Sequence, residues 1–208
     1  MAGETLQTVL QQAVKAQILE LHVSLPARVE KYDELTQKAD VKPLLKRKLR
    51  KDQSLIEFPV IPSVPVQHPS GGGAFIHMPI AVGDTGIVVF SERSLDAWLS
   101  GDGQIVDPKD TRHHHLSDGV FIPGVKPFSK GVAGTKDSIK ISYGTTTFEL
   151  FNNGKVKIYN SGEELVSLLV DLCTACEAIT TLTAIGIQPV INKATFTSLK
   201  SKLGGFKV

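Results

Sequence analysis

The chain has 208 residues, 41% hydrophobic and 21% charged, which is the composition of an ordinary globular protein and excludes whole-chain disorder, collagen and a continuous coiled coil. Its formal net charge of +2 does not predict a nucleic-acid partner, and two cysteines are too few for a disulfide framework. No apolar run approaches the ~20 residues that cross a bilayer, and the amphipathic N-terminus lacks the layout of a secretory signal. We therefore expect a protein made in a cytoplasm, with reduced thiols.

Residues 1–21 are predicted to form an N-terminal helix. Apolar residues recur there at steps of three and four, which builds a single apolar stripe. Such a stripe either packs on its own domain or docks on a neighbouring protein. Our candidates for docking on a partner are Leu6, Leu10 and Val14.

Residues 22–127 are predicted to form a β-domain of five or six short strands and one short helix, capped by Ser91 or Ser94. The stretch 33–38 reads as a hairpin turn, the basic run 46–52 as a loop, and the proline-broken stretch 55–66 as a sheet edge. A closed Greek-key barrel of the OB type is the simplest architecture that hides the strand edges.

Residues 128–162 carry a short repeat of one strand plus one glycine turn, with apolar residues alternating at period two. Three short strands with open edges are only marginally stable alone. Three chains could instead braid into an intertwined β-helix, or β-prism; a plain meander packed on the barrel is the alternative. The residues that we expect inside the braid are Ile139, Ile141, Phe148, Leu150, Val156 and Ile158.

Residues 163–208 are predicted to be a helical, coiled-coil-like tail. Ser161 and Glu164 read as a capping box, and the helix is expected to break near Pro189 before a last helix that follows Asn192. Apolar residues follow at heptad spacing, which favours association of three helices. The seam residues of this trimer core are Leu165, Leu169, Leu172 and Ile179.

Few residues suggest chemistry. The run of three histidines could present His113 and His115 to a metal ion, although a packed histidine loop is the simpler interpretation. Cys173 and Cys176 lie within a predicted helix, where they read as small hydrophobic residues rather than a redox pair. No catalytic motif and no cofactor motif is found, so we expect a protein that is not an enzyme.

Two motifs resemble a known family. Residues 83–99 (GDTGIVVFSERSLDAWL) and 112–124 (RHHHLSDGVFIPG) look like the OB-fold domain of central spike proteins from contractile-tailed bacteriophages, the baseplate assembly protein V family. The matching positions are Gly83, Asp84, Gly86, Phe90, Glu92, Arg93, Asp96, Trp98, Leu116, Ser117, Asp118, Ile122, Pro123 and Gly124.

The resemblance implies a homotrimeric virion protein of the tail baseplate, assembled in the bacterial cytoplasm. It implies hub or tail-tube partners, a tip-capping protein as a further possible partner, and transient contact with the host envelope. The histidine-held tip metal of some such spikes is not carried over, because no histidine follows Gly162. The alternative function is a single-stranded nucleic-acid-binding OB protein that uses the basic run Lys46, Arg47, Lys48, Arg50 and Lys51; we expect no stable nucleic-acid partner.

Overall fold

The structure is a computed structural model that describes residues 5–19, 21–49, 53–132 and 134–204. The chain divides into two compact units, Met1–Gly131 and Val132–Val208. Taken as a whole, the described chain is mainly β with a few helices, which agrees with the predicted class. Among the described residues, no helix combines the length and the apolar character needed to span a bilayer.

The first unit begins with a helix and continues with short strands, a four-residue helix and a 3-10 turn at Phe128–Lys130. In chain order its elements are α1 (Leu6–Leu19), β1 (Ser24–Asp33), β2 (Lys38–Pro43), β3 (Lys46–Lys48), β4 (Leu55–Glu57), β5 (Ile61–Pro65), β6 (Ser70–Gly71), β7 (Ala74–Phe75), β8 (Thr85–Phe90), α2 (Asp96–Leu99) and β9 (Gly119–Pro123).

Five of these strands form one antiparallel, curled sheet in the order β5-β2-β1-β8-β9. Its two outer strands approach each other just past the end of β5, where Val66 makes a parallel bridge to Phe121. The N–H of Gln67 donates to the carbonyl of Phe121 at 2.9 Å. This meeting of the edges is compatible with the predicted barrel.

The core of this unit lies inside the curled sheet, where alternate residues of each strand point inward. Phe121 is its largest fully buried side chain. Gly86 must lack a side chain, because a Cβ there would collide with the Ile122 carbonyl and the Phe121 ring. The buried apolar residues are Ala27, Val29, Ala39, Val41, Ile61, Val64, Val66, Val88, Phe90 and Phe121.

Several local predictions for this unit are confirmed and two are wrong. The turn after β1 lies within the predicted 33–38, and β5 is an edge strand as its prolines require. The basic run is not wholly a loop, since Lys46–Lys48 pairs with β4. Neither Ser91 nor Ser94 caps α2: its N-cap position is Leu95, and no side chain caps it.

The second unit combines a three-stranded antiparallel sheet, two helices and a hairpin. Its elements are β10 (Ser138–Tyr143), β11 (Thr146–Phe151), β12 (Val156–Tyr159), α3 (Leu165–Ala178), β13 (Thr180–Thr183), β14 (Gly186–Pro189) and α4 (Lys193–Gly204). Helix α3 packs against β12 and against α4.

The first tail helix, which was predicted to run until a break near Pro189, ends about ten residues earlier. Helix α3 ends at Ala178, and an antiparallel hairpin of β13 and β14 follows, with Leu182 opposite Ile187. Ile179 and Thr180 are β-branched, which favours extended backbone over helix. Gly186 has a positive φ, which suits the turn that joins the two strands. Ile179 therefore lies beyond the helix, in extended backbone, and does not continue the heptad seam.

Candidate functional site

The register of the β10–β12 sheet gathers the six residues predicted for the braid onto one face, because directly opposed residues of antiparallel strands share a face. They form two cross-strand rows, Ile139–Leu150–Val156 and Ile141–Phe148–Ile158. Ile139 and Ile141 are 68% and 62% exposed, and Leu150 is also exposed. Within the single chain, three of the six side chains are therefore exposed, and Phe148, Val156 and Ile158 are half-buried.

The opposite face of the same sheet is polar and partly buried. Thr147 and Glu149 are buried there. The Ser138 hydroxyl donates to Glu149 Oε1 at 2.6 Å, and the Tyr159 hydroxyl donates to Glu149 Oε2 at 3.3 Å. Ser142 and Thr147 share a 2.9 Å hydrogen bond. The buried carboxylate is thus hydrogen-bonded, as a buried charge must be.

The apolar face is thus the more exposed of the two, whereas an antiparallel sheet usually buries its apolar side and exposes its polar side. Contiguous exposed apolar patches on soluble proteins mark surfaces that bind something. We call this patch of Ile139, Ile141, Phe148, Leu150, Val156 and Ile158 the apolar sheet face.

Helix α3 also leaves apolar residues exposed. Its only buried residue among those described is Val166, while the predicted seam residues Leu165, Leu169 and Leu172 are exposed. These three residues keep helical spacing and so form a real stripe on α3. Whether the stripe meets other copies stays a prediction.

The start of α3 differs from the predicted capping box. The N-cap is Glu164, whose carboxylate accepts from the N–H of Val166 at 2.9 Å and of Ser167 at 2.7 Å. Burial raises the pKa of Glu164, but hydrogen bonds from the Ser167 hydroxyl and from the two N–H groups outweigh it, and the pKa is lowered. Asn160, not Ser161, accepts from the N–H groups of Gly162 and Glu163.

The predicted docking helix α1 contains no buried residue. Leu6, Leu10 and Val14 are all more than half exposed, so their apolar stripe is uncovered in the single chain. The first unit therefore also presents an apolar surface, carried by one helix rather than by a sheet.

The three histidines lie in a loop, where they make hydrogen bonds to other residues of the chain. The backbone N–H of His114 donates to the Ser91 carbonyl, and its carbonyl accepts from the N–H of His22, both at 3.1 Å. His115 Nδ1 lies 2.8 Å from the Ser117 hydroxyl, and His113 Nδ1 lies 3.1 Å from the Thr111 carbonyl. In the part of the chain that the structure describes, no three His, Cys, Asp or Glu side chains form a group that could hold a metal ion.

A charge cluster around Arg112 was not predicted. Arg112 Nη2 donates to Asp96 Oδ2 at 2.6 Å and to Ser94 at 2.7 Å, and it lies 3.5 Å from the buried Asp118. Its Nε lies 3.2 Å from Asp110. The hydrogen bond to Asp96 is the main reason why the pKa of Arg112 is raised. Because Asp118 also accepts from the N–H of Leu95, this cluster fastens the long segment between β8 and β9.

The remaining candidates have ordinary surroundings. Lys42 and Lys46 lie 3.3 and 3.5 Å from Glu57, so two cations near the predicted nucleic-acid surface have an acidic neighbour. Arg50 and Lys51 lie outside the described residues. Cys173 and Cys176 are free thiols in α3, half-buried rather than fully buried.

One family comparison bears on the first unit. Residues 25–124 match the family model described as phage protein Gp138, N-terminal domain. The match covers a little under half of the chain and spans the sheet from β1 to β9. It supports a phage protein domain and hence a structural role in the virion, but not the specific baseplate assembly protein V family. No curated protein matches the chain.

Proposed function

We propose that the chain is the trimeric central spike or hub protein of a contractile phage tail baseplate. In this proposal, the first unit joins the hub or tail tube, and the second unit builds a stiff trimeric shaft toward the membrane-piercing tip. The protein is then a virion component, assembled in the bacterial cytoplasm, that contacts the host envelope only when the tail contracts. It acts as a structural element and not as an enzyme.

The observation that carries the proposal is the apolar sheet face. Six apolar side chains share one face of a three-stranded sheet whose two buried residues, Thr147 and Glu149, both lie on the opposite, polar face. Such a face is stabilised when an equivalent face covers it, and a three-fold arrangement covers all three faces at once while pairing open strand edges. The phage protein domain in the first unit supports the same conclusion.

The mechanical argument follows from the hydrogen bonding of a braided sheet. A shaft whose strands pair between chains has few free edges, so bending it breaks many backbone hydrogen bonds together. The exposed leucines of α3 extend the interface along the shaft. The exposed stripe of α1 is the proposed attachment to the hub or tail tube, and a separate tip protein is the proposed partner at the far end.

The proposal is tested by introducing a charge on the apolar sheet face. In an Ile141→Asp variant, three carboxylates would be brought into the proposed interface without partners, which is strongly unfavourable. We expect the variant to sediment as a monomer at concentrations at which the wild type remains trimeric. Far-UV circular dichroism would show whether the isolated chain keeps its secondary structure.

The matched control is Asn153→Asp, which adds the same charge to an exposed turn of the same sheet. The Asn153 side-chain oxygen accepts from the N–H of Lys155 at 3.1 Å, and an aspartate keeps that acceptor. The control should remain trimeric. Equal oligomer masses for Ile141→Asp and the wild type would contradict the proposal.

A further inference from the structure

A small hairpin in the first unit sets two histidines opposite each other. Strands β6 and β7 pair Gly71 with Ala74 and Ser70 with Phe75 around a turn at Gly72 and Gly73, both of positive φ. The ladder continues one step further, since the N–H of Ile76 donates to the Pro69 carbonyl at 2.8 Å. One more step in this register brings His68 opposite His77.

The two imidazole rings are close neighbours. Their centroids lie 5.1 Å apart, and their planes are inclined by 34°. Both ring nitrogens of His68 are buried and have no hydrogen-bond partner among the described residues. Buried polar nitrogens are normally paired, so an unpartnered ring beside a second imidazole calls for a ligand.

Imidazole nitrogen is a preferred ligand of Zn²⁺ and of neighbouring divalent transition metals. Residues directly opposed on antiparallel strands have Cβ atoms about 4.5–5.5 Å apart. From that separation two histidines can each direct one nitrogen to a common ion at ~2.0–2.1 Å. We propose that His68 and His77 form a two-histidine site for a divalent transition-metal ion such as Zn²⁺.

Burial, and then the neighbouring His77, lower the pKa of His68 from its ordinary value. No third His, Cys, Asp or Glu joins the pair among the described residues, which leaves the other coordination positions to water. The bound ion would fasten the base of the hairpin, whose Phe75 and Ile76 are exposed.

This inference does not depend on the proposed function, and it is tested by titrating the full-length, tag-free chain with Zn²⁺ in a calorimeter. We expect saturable binding of one ion per chain. Each of the variants His68→Ala and His77→Ala should weaken binding at least tenfold, because each removes one of two protein ligands. His77 is exposed, so His77→Ala leaves the fold intact even if His68→Ala disturbs it.

The double variant His113→Ala, His115→Ala is the matched control, because it removes the two histidines that the sequence had suggested as metal ligands. It should bind Zn²⁺ with wild-type affinity. Ring resonances of His68 and His77 should shift on addition of Zn²⁺ while those of His113 and His115 stay in place. The proposal is overturned if the wild type shows no saturable binding, or if binding survives in His77→Ala and disappears in the control.

Discussion

The two β-sheets of this molecule use the same alternation of apolar and polar residues with opposite results. In the five-stranded sheet of the first unit, the inward-facing residues pack against one another, and Val29, Val88 and Phe121 are fully buried. In the three-stranded sheet of the second unit, the apolar residues face outward, and Ile139 and Ile141 remain exposed. Alternation thus specifies which residues share a face, whereas the number of strands determines whether one chain can cover that face.

The first unit's side of this comparison is tested most strongly at Phe121. Phe121→Ala removes the largest fully buried side chain of the core and leaves a cavity that its neighbours fill poorly. We expect a loss of about 3–5 kcal/mol in the free energy of unfolding. Urea denaturation followed by fluorescence or circular dichroism measures it. The neighbouring Ile122 is exposed on the other side of β9, so Ile122→Ala should cost well under half as much. Equal losses would mean that the core does not lie where the structure has it.

The charge cluster of the first unit comes next in expected size. Arg112→Ala leaves the buried carboxylate of Asp118 without its cation, and we expect a loss of about 1–3 kcal/mol in unfolding free energy. Arg93→Ala is the control, because the ion pair of Arg93 with Glu92 is solvent-exposed and contributes only about 0–1 kcal/mol to the free energy of unfolding. The two variants are compared by urea denaturation at pH 7. If they lose the same amount, Asp118 is not held by Arg112.

The smallest of these effects belongs to the second unit, at the start of α3. Glu164→Gln weakens the N-cap, and we expect a loss of about 0.5–2 kcal/mol at pH 7. Because the folded-state pKa of Glu164 lies below its ordinary value, the ionised cap stabilises the fold above the ordinary glutamate pKa. That contribution is lost as the pH falls through the folded value. Unfolding measured from pH 7 downward should show the difference between variant and wild type shrinking with acidity, and a difference independent of pH would refute the assignment.

Local patterns predicted much of the fold because they act over short distances. The turn after β1, the edge position of β5 and the three strands of the second unit follow from turn residues, prolines and period-two alternation. Sequence analysis missed the hairpin of β13 and β14 because the spacing of its apolar residues also fits a helix. The β-branched residues from Ile179 onward favour extended strands over that helix. Pattern spacing alone could not separate these two structures.

The candidate site was predicted in part. The six residues of the apolar sheet face were identified from alternation, and the register confirms that they share a face. The burial of the opposite, polar face at Glu149 could not be foreseen, since it depends on hydrogen bonds from Ser138 and Tyr159. The Arg112 cluster was missed for a similar reason: Ser94 and Asp96 are 18 and 16 residues away in the chain, and no periodic signal links them to Arg112.

The central claim is that the apolar sheet face of the second unit is completed by other copies of the same chain. Sedimentation equilibrium of the purified full-length protein tests it directly. The account predicts a stable species of three times the 22.5 kDa chain mass at micromolar concentration. A well-folded species with the mass of a single chain, unchanged on raising the concentration, would contradict it.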